Sequence, residues 1–191
     1  MKSFYKPWQK DREDSTIAIN KNRHFIIETL GGGYIYSLEE SNNEILQLLD
    51  RDCGIDLIWK KNKKARGIAS RVQWMEWRGE SYDTFTIRSE RESKAETEYK
   101  KRLETIGNSF SPHLTMQMYC NNRKENILES MAIIKTEDLY LLSIEHPELF
   151  HTTKSDNFFK FIRWKDIRNK SNINILIKRK GKELEGDLKL N

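Results

Sequence analysis

Apolar residues recur at helical spacing near the start of the chain. Ile19, Ile26 and Leu30 lie on one face of a helix that we predict over residues 16–30. Gly31-Gly32-Gly33 would end this helix, because glycine readily adopts the left-handed backbone that closes many helices. The triple glycine does not match a phosphate-binding loop, which follows a strand and precedes Gly-Lys-Ser/Thr.

The middle of the chain changes to the two-residue alternation that is typical of strands. Strands are predicted over residues 54–59, 67–74 and 83–88, and their short connections favour an antiparallel meander. On either side of these strands, serine is followed three residues later by glutamate, at Ser41 and again at Ser93. This spacing is typical of a capping box, so each serine predicts the start of a helix.

The second half of the chain mixes strand and helix patterns. Alternation is clearest from His113 to Cys120, where Leu114, Met116 and Met118 would share one side of a strand. The helix that begins at Ser93 is expected to end near Gly107. Further strands are predicted over residues 127–135, 158–164 and 173–177, and a further helix over residues 136–143.

Together these elements predict an α/β (α+β) fold, a single domain with a mixed or mostly antiparallel central sheet flanked by helices. We divide the chain into an N-terminal arm (residues 1–15), the domain (residues 16–180) and a polar C-terminal tail (residues 181–191). Hydrophobic residues make up 37% and charged residues 33% of the 191 positions. This balance is that of a folded protein and not of a disordered chain.

Composition disfavours several classes of protein. No apolar run reaches the ~18 residues of a membrane span, and the N-terminus lacks the apolar segment of a secretory signal. Cys53 and Cys120 are too few for a disulfide framework, so we expect reduced thiols and a cytoplasmic location. Scattered histidines and the absence of a Gly-x-Ser-x-Gly motif disfavour a serine hydrolase.

Basic residues are concentrated toward the C-terminus. The net charge is +5, and residues 160–191 carry an excess of lysine and arginine while the rest of the chain is close to neutral. Such a surface predicts contacts with nucleic-acid phosphates; the alternative is a solvated face that keeps the protein dissolved. The predicted contacts are Lys60, Lys61, Arg88, Arg91, Lys178, Arg179 and Lys180.

The first predicted hairpin brings chemically active side chains close together. Asp56 is a carboxylate within an apolar strand, and Arg71 and Gln73 share one face of the next strand. A carboxylate that binds a divalent cation, beside a cation that binds phosphate, suits phosphodiester hydrolysis. The structural alternative is that Asp56 only forms an ion pair with Lys60 or Arg71 at the edge of a strand.

This order of elements resembles the PD-(D/E)xK nuclease superfamily over residues 16–90: a helix, a strand with Gly-Ile-Asp, and a hairpin to a strand with a polar-x-basic pair. The resemblance implies a mixed sheet flanked by helices, with Asp56 as the metal-binding aspartate and Mg²⁺ as the cofactor. Arg71 stands where the family has lysine, and Ala69 stands where it has a metal-binding Glu, Asp or Gln.

Because Ala69 cannot bind a metal, Gln73 or Glu28 would have to complete the metal shell. The resulting hypothesis is a metal-dependent, nuclease-like protein that acts on or binds nucleic acid. The alternative is a non-catalytic phage or mobile-element protein that binds and inhibits a nucleic-acid-handling complex. Trp74 and Trp77 lie among arginines in a mixture that suits base stacking or a protein interface. An exposed sheet edge would also allow a homodimer.

Overall fold

A computed structural model describes residues 7–38, 41, 43–76, 81–90, 97–106, 111–153, 159–170 and 173–188. The strands in these ranges are β1 (Tyr34–Ser37), β2 (Leu57–Lys61), β3 (Lys64–Trp74), β4 (Thr84–Arg88), β5 (Leu114–Cys120), β6 (Leu128–Lys135), β7 (His151–Thr153), β8 (Phe159–Arg163) and β9 (Ile175–Arg179). The α-helices are α1 (Pro7–Lys21), α2 (Arg23–Thr29), α3 (Glu44–Cys53), α4 (Glu98–Thr105), α5 (Thr136–Glu145) and α6 (Trp164–Arg168).

The strands form two sheets. The larger sheet has the order β1-β2-β3-β5-β6-β9, and its neighbours are antiparallel except for β3 and β5, which run parallel. The smaller sheet has the order β4-β8-β7 and is antiparallel. This α+β single-domain architecture with a mixed central sheet confirms the predicted fold class.

The two faces of the larger sheet contact separate hydrophobic cores, because side chains alternate along each strand. On β5, Leu114, Met116 and Met118 belong to the core that includes α1 and α2, as the alternation predicts. Tyr119 points the other way, into a core that also contains Phe85 of β4 and buried residues of α5, β8 and α6. The smaller sheet therefore covers the second face of the larger one.

The helix predicted over residues 16–30 is in fact two helices, α1 and α2, and α1 begins earlier, at Pro7. The break lies at Asn22, whose buried amide donates to the carbonyls of Ala18 and Asn126. Its side-chain oxygen accepts the N–H of Leu128. A polar side chain that bonds backbone groups in this way competes with a continuous helix.

The predicted three-stranded meander is wrong at its third strand. β2 and β3 form the expected hairpin, but β3 next pairs with β5, while β4 pairs with β8 in the other sheet. Asp83, at φ 48, directly precedes β4, and the N–H of Trp164 donates to its carbonyl. The chain thus leaves the larger sheet after β3, and β4 lies in the connection between two parallel strands.

Helix starts also differ from the predicted capping boxes. α3 is capped by Asn43, whose side chain accepts the N–H groups of Ile45 and Leu46, and Ser41 instead accepts the N–H of Asn43. α4 is capped by Thr97. The start predicted at Ser93 lies outside the described residues. The short strands β1 and β7 were not predicted.

Candidate functional site

Asp56 and Arg71 line one cavity of about 410 Å³. Asp56 directly precedes β2, Arg71 lies within β3, and the hairpin between these strands turns at Asn62, whose φ is 56°. α4 with its cap, and the C-terminal end of α3 with the glycine that follows it, contribute the rest of the wall. The full lining is Arg51, Gly54, Asp56, Ala69, Ser70, Arg71, Thr97, Glu98, Lys101 and Arg102.

The Asp56 carboxylate is bound by Ser70 of the neighbouring strand. Its Oδ2 accepts the backbone N–H of Ser70 at 2.5 Å and the Ser70 hydroxyl at 3.1 Å. Charge-assisted bonds of this kind are stronger than bonds between neutral groups. Asp56 therefore holds the open end of the hairpin together as well as lining the cavity.

Arg71 is positioned by a carboxylate and by an aromatic ring. Its Nη2 donates to Oε2 of Glu98 at 2.8 Å, and both side chains remain 27% exposed. The guanidinium carbon also lies 5.3 Å from the centre of the Phe159 ring, in the range of a cation–π contact. Arg71 is thus held in place while part of its guanidinium stays accessible to a ligand.

Glu98 is a cavity residue that the sequence reasoning did not single out. It is the first residue of α4, and its Oε1 accepts the Tyr140 hydroxyl at 3.4 Å. Burial, followed by the Glu98 charge, raises the pKa of Tyr140 well above its usual value, so the hydroxyl stays protonated. The helix start predicted at Ser93 put Glu98 beyond the first turn, so the sequence did not distinguish it from other acids of the helix.

The acidic groups of this cavity fit Mg²⁺ poorly. Oδ2 of Asp56 already holds Ser70, and Oε2 of Glu98 already holds Arg71. Among the described residues, no group of three or more His, Cys, Asp or Glu side chains could hold a metal ion. Four basic residues would repel a cation, so the cavity suits an anion better. These residues are Arg51, Arg71, Lys101 and Arg102.

A larger groove of about 1100 Å³ lies between β3 and the smaller sheet. Aromatic and guanidinium side chains dominate its walls, with Asp11 and Glu76 as its acidic residues. Its volume is slightly above the ~300–1,000 Å³ of most small-molecule pockets, so it has room for a ligand larger than most small molecules. The full lining is Asp11, Ser15, Arg71, Val72, Gln73, Trp74, Glu76, Tyr82, Thr84, Thr86, Arg123, Phe159, Phe161 and Arg163.

Several guanidinium groups of this region stack on aromatic rings. Arg123 lies 4.1 Å from the centre of the Trp74 ring, and Arg88 lies 5.2 Å from the Phe159 ring that also contacts Arg71. Stacking holds a planar guanidinium by its face, and carboxylates hold part of its edge: Arg123 pairs with Asp11 and Asp14, and Arg71 pairs with Glu98. The remaining N–H groups of these oriented guanidinium groups are suited to phosphate oxygens.

Arg71 lines both the groove and the Asp56 cavity, so the two spaces meet at this residue. Gln73 lines the groove only. Glu28 lies on α2 and lines neither space; its Oε1 is 4.0 Å from Nζ of Lys178. Of the predicted catalytic residues, the structure brings Asp56 and Arg71 together, and Gln73 adjoins them through Arg71.

The predicted nucleic-acid contacts lie in several places. Lys60 is exposed, Nζ of Lys61 donates to the Gly31 carbonyl at 2.9 Å, and Arg91 lies outside the described residues. Lys178, Arg179 and Lys180 line a separate cavity of about 360 Å³ beside Phe25.

Part of the C-terminal positive charge is neutralised by nearby acids of the fold, of which Asp83 and Glu129 are distant in sequence. Arg179 forms ion pairs with Asp83 and Glu185, and Lys180 pairs with Glu129 at 2.8 Å. The basic character of this segment in the sequence therefore overstates the charge that it offers to a partner.

No match was found when the chain was compared with protein-family models, with curated proteins and with solved structures. In the ranges that the structure describes, no helix combines the length and the apolar character needed to cross a bilayer.

Proposed function

We propose that this protein binds single-stranded nucleic acid in the groove between its two sheets. The observation that carries the proposal is the combination of stacked guanidinium groups and aromatic rings that line one large groove. Guanidinium groups bind phosphates, and aromatic side chains stack on bases whatever their sequence. A duplex is less suitable, because its bases are already stacked on one another.

Two exposed side chains would make the first contacts. Arg163, at the end of β8, is exposed and lines the groove, where it can bind a phosphate. Tyr82 is 46% exposed and offers a ring on which a base can stack. Arg71 lines both the groove and the Asp56 cavity.

The proposal is tested by measuring fluorescence anisotropy of labelled DNA and RNA strands, single and double, at several salt concentrations. We expect single strands to bind more tightly and to lose affinity steeply between about 50 and about 200 mM salt. Arg163→Gln should weaken binding. Lys165→Gln is the matched control, because it removes the same charge from an exposed residue of α6 that does not line the groove.

Binding that is unaffected by Arg163→Gln, or weakened equally by Lys165→Gln, would place the nucleic acid elsewhere on the protein. The absence of binding to every strand at low salt would refute the proposal. That result would favour the non-catalytic protein partner, for which α3 offers Ile45 and Leu48 at 68% and 44% exposure.

A second candidate function is cleavage of the bound strand, as the PD-(D/E)xK resemblance implies. One observation supports it: Asp56 and Arg71 share a cavity, and Arg71 also lines the groove. Since the acidic groups of that cavity fit Mg²⁺ poorly, we derive no catalytic step from them. Cleavage assays with Mg²⁺ or Mn²⁺, beside an Asp56→Asn variant, test this candidate. Cleavage that survives the substitution unchanged would exclude the site.

A further inference from the structure

The second half of β3 has no partner strand on one of its sides. β2 pairs with β3 only as far as Ile68, whereas β5 pairs with β3 on the other side from Ile68 to Trp74. Among the described residues, no other strand takes the place of β2 beside residues 69–74. The larger sheet therefore has a free edge within β3, a strand that is otherwise central.

The groove follows this free edge. Four consecutive residues of β3, from Arg71 to Trp74, line it, although consecutive side chains of a strand point to opposite faces. Val72 belongs to the core beneath α1, whereas Arg71 contacts Phe159 of the smaller sheet. The groove is also lined by Ser15 of α1 and by Phe161 of β8, elements that cover opposite faces of the larger sheet. A space that reaches both faces must pass along the edge between them.

Backbone groups of alternate β3 residues point to the free edge. The N–H of Asp56 donates to the Ile68 carbonyl, and Oδ2 of Asp56 accepts the N–H of Ser70, so the even-numbered residues face the side of β2. The N–H of Met75, just after β3, instead donates to β5. By this alternation the N–H and C=O of Val72 point to the free edge. Neither group has a hydrogen-bond partner in the part of the molecule that the structure describes.

Asp56 shows that this edge binds an oxygen atom that does not come from a strand. Its carboxylate accepts the N–H of Ser70, just beyond the point where pairing with β2 ends. Val72 is the next residue along the same edge whose backbone groups point outward, and it lines the groove, which Asp56 does not. The N–H donor and C=O acceptor of Val72 are therefore a backbone pair that a ligand in the groove can use.

We propose that the N–H and C=O of Val72 form hydrogen bonds with the pairing edge of an unpaired base, the edge that binds the opposite base in a duplex. This inference rests on the proposed nucleic-acid binding and adds the part of the nucleotide that is recognised. The pairing edge carries a donor beside an acceptor, as in the N3–H and O4 of thymine, so it complements Val72. A duplex has already used these edges, which is a further reason to expect single strands.

An extended peptide is the other ligand that a free strand edge accepts. The walls of the groove favour the nucleotide, because they combine aromatic rings with guanidinium groups, which suit bases and phosphates.

The base contact is tested by comparing a short thymidine strand with the same strand made of N3-methylthymidine. The methyl group removes the N3–H donor and blocks the pairing edge, while the phosphates, the sugars and the stacking faces are kept. We expect the methylated strand to bind about tenfold more weakly in anisotropy titrations, as for the loss of one or two hydrogen bonds. The protein is the same in both titrations, so no variant has to fold.

Amide hydrogen exchange, followed by NMR on the isotope-labelled protein, locates the contact. The N–H of Val72 should exchange faster than that of Gln73 in the free protein, because the Gln73 N–H points to β5 and is the matched control. The thymidine strand should slow exchange at Val72 about tenfold and leave Gln73 unchanged. The methylated strand should leave both unchanged.

Each outcome supports or overturns the inference. Equal affinity for the two strands would overturn the base contact, and groove binding would still stand if Arg163→Gln weakened it. Slow exchange of Val72 in the free protein would show that the edge is covered, and would also overturn the inference. Equal protection of Val72 by both strands would assign its bond to the sugars or phosphates. If the protein bound neither strand, the groove proposal and this inference would both be refuted, and the edge would be left to an extended peptide.

Discussion

The guanidinium of Arg71 donates to Oε2 of Glu98 at 2.8 Å, at the point where the groove meets the Asp56 cavity. In the absence of a ligand, this carboxylate occupies one edge of the arginine that a phosphate would use. The pair is partly exposed, so its net contribution to stability is expected to be small. Glu98 therefore competes with the proposed ligand for Arg71.

Replacing Glu98 with glutamine should strengthen nucleic-acid binding. The substitution replaces a charged acceptor with a neutral amide oxygen, which holds the Arg71 edge more weakly, and we expect a gain in affinity of about two- to fivefold, equivalent to ~0.5–1 kcal/mol. Anisotropy titrations measure the gain. Glu104→Gln, on the same helix and 56% exposed, is the matched control for the loss of charge. A fall in affinity would instead mean that Glu98 takes part in binding.

Asp56→Ala should destabilise the protein more than Asp56→Asn does. The alanine variant leaves the N–H and hydroxyl of Ser70 without their acceptor, whereas an asparagine oxygen can still accept one of these bonds. We expect a loss of about 1–3 kcal/mol for alanine and less for asparagine, measured by urea denaturation. Equal stability of the two variants would show that the bonds to Ser70 contribute little.

Gly33→Ala should be much more damaging than Gly32→Ala. Both glycines have positive φ values, 101° and 105°, which an alanine adopts with strain of about 1–3 kcal/mol. At Gly33, however, a Cβ atom would also lie 2.5 Å from the Lys60 carbonyl oxygen, whereas at Gly32 nothing lies within 4 Å. The melting temperature of Gly32→Ala measures the backbone strain alone, and the further loss in Gly33→Ala measures the steric clash with Lys60. Equal melting temperatures would show that β2 can shift to relieve that clash.

Cys120 should resist alkylation in the folded protein, whereas Cys53 should react. Burial raises the pKa of the Cys120 thiol to about 12, so very little reactive thiolate forms near neutral pH. Cys53, at the end of α3, is partly exposed. Mass spectrometry after iodoacetamide treatment, with and without urea, measures both reactions. Rapid labelling of Cys120 without urea would show that β5 opens locally.

The parts of the fold that the sequence predicted are those determined by local pattern. The strand at residues 114–120 was predicted because polar and apolar residues alternate along it and the apolar ones lie on a buried face. The hairpin that carries Asp56 and Arg71 was predicted because a short polar turn joins its two strands. In a hairpin, pairing is set by residues close in sequence, so side-chain convergence can be predicted.

The features that escaped prediction depend on distant partners. The break at Asn22 requires Asn126 and Leu128, and the position of Glu98 in the cavity requires that α4 lie against β3. Similarly, the sequence alone suggests that Arg179 is a free cation, whereas in the fold it forms an ion pair with Asp83. β1 was missed because its exposed residues, Tyr34 and Tyr36, are aromatic, so burial alternates around Ile35 while the sequence shows no alternation of polar and apolar residues.

The parallel pairing of β3 with β5 has a consequence for the order in which the molecule assembles. The β2–β3 hairpin closes a short loop and can form early. Pairing of β3 with β5 is expected later, because it must close the much longer connection between these strands. β4, within that connection, finds its partner only in β8, which is synthesised much later. Because β8 supplies Phe159, Phe161 and Arg163, a ribosome-bound chain that ends before them would have the hairpin without the opposite wall of the groove.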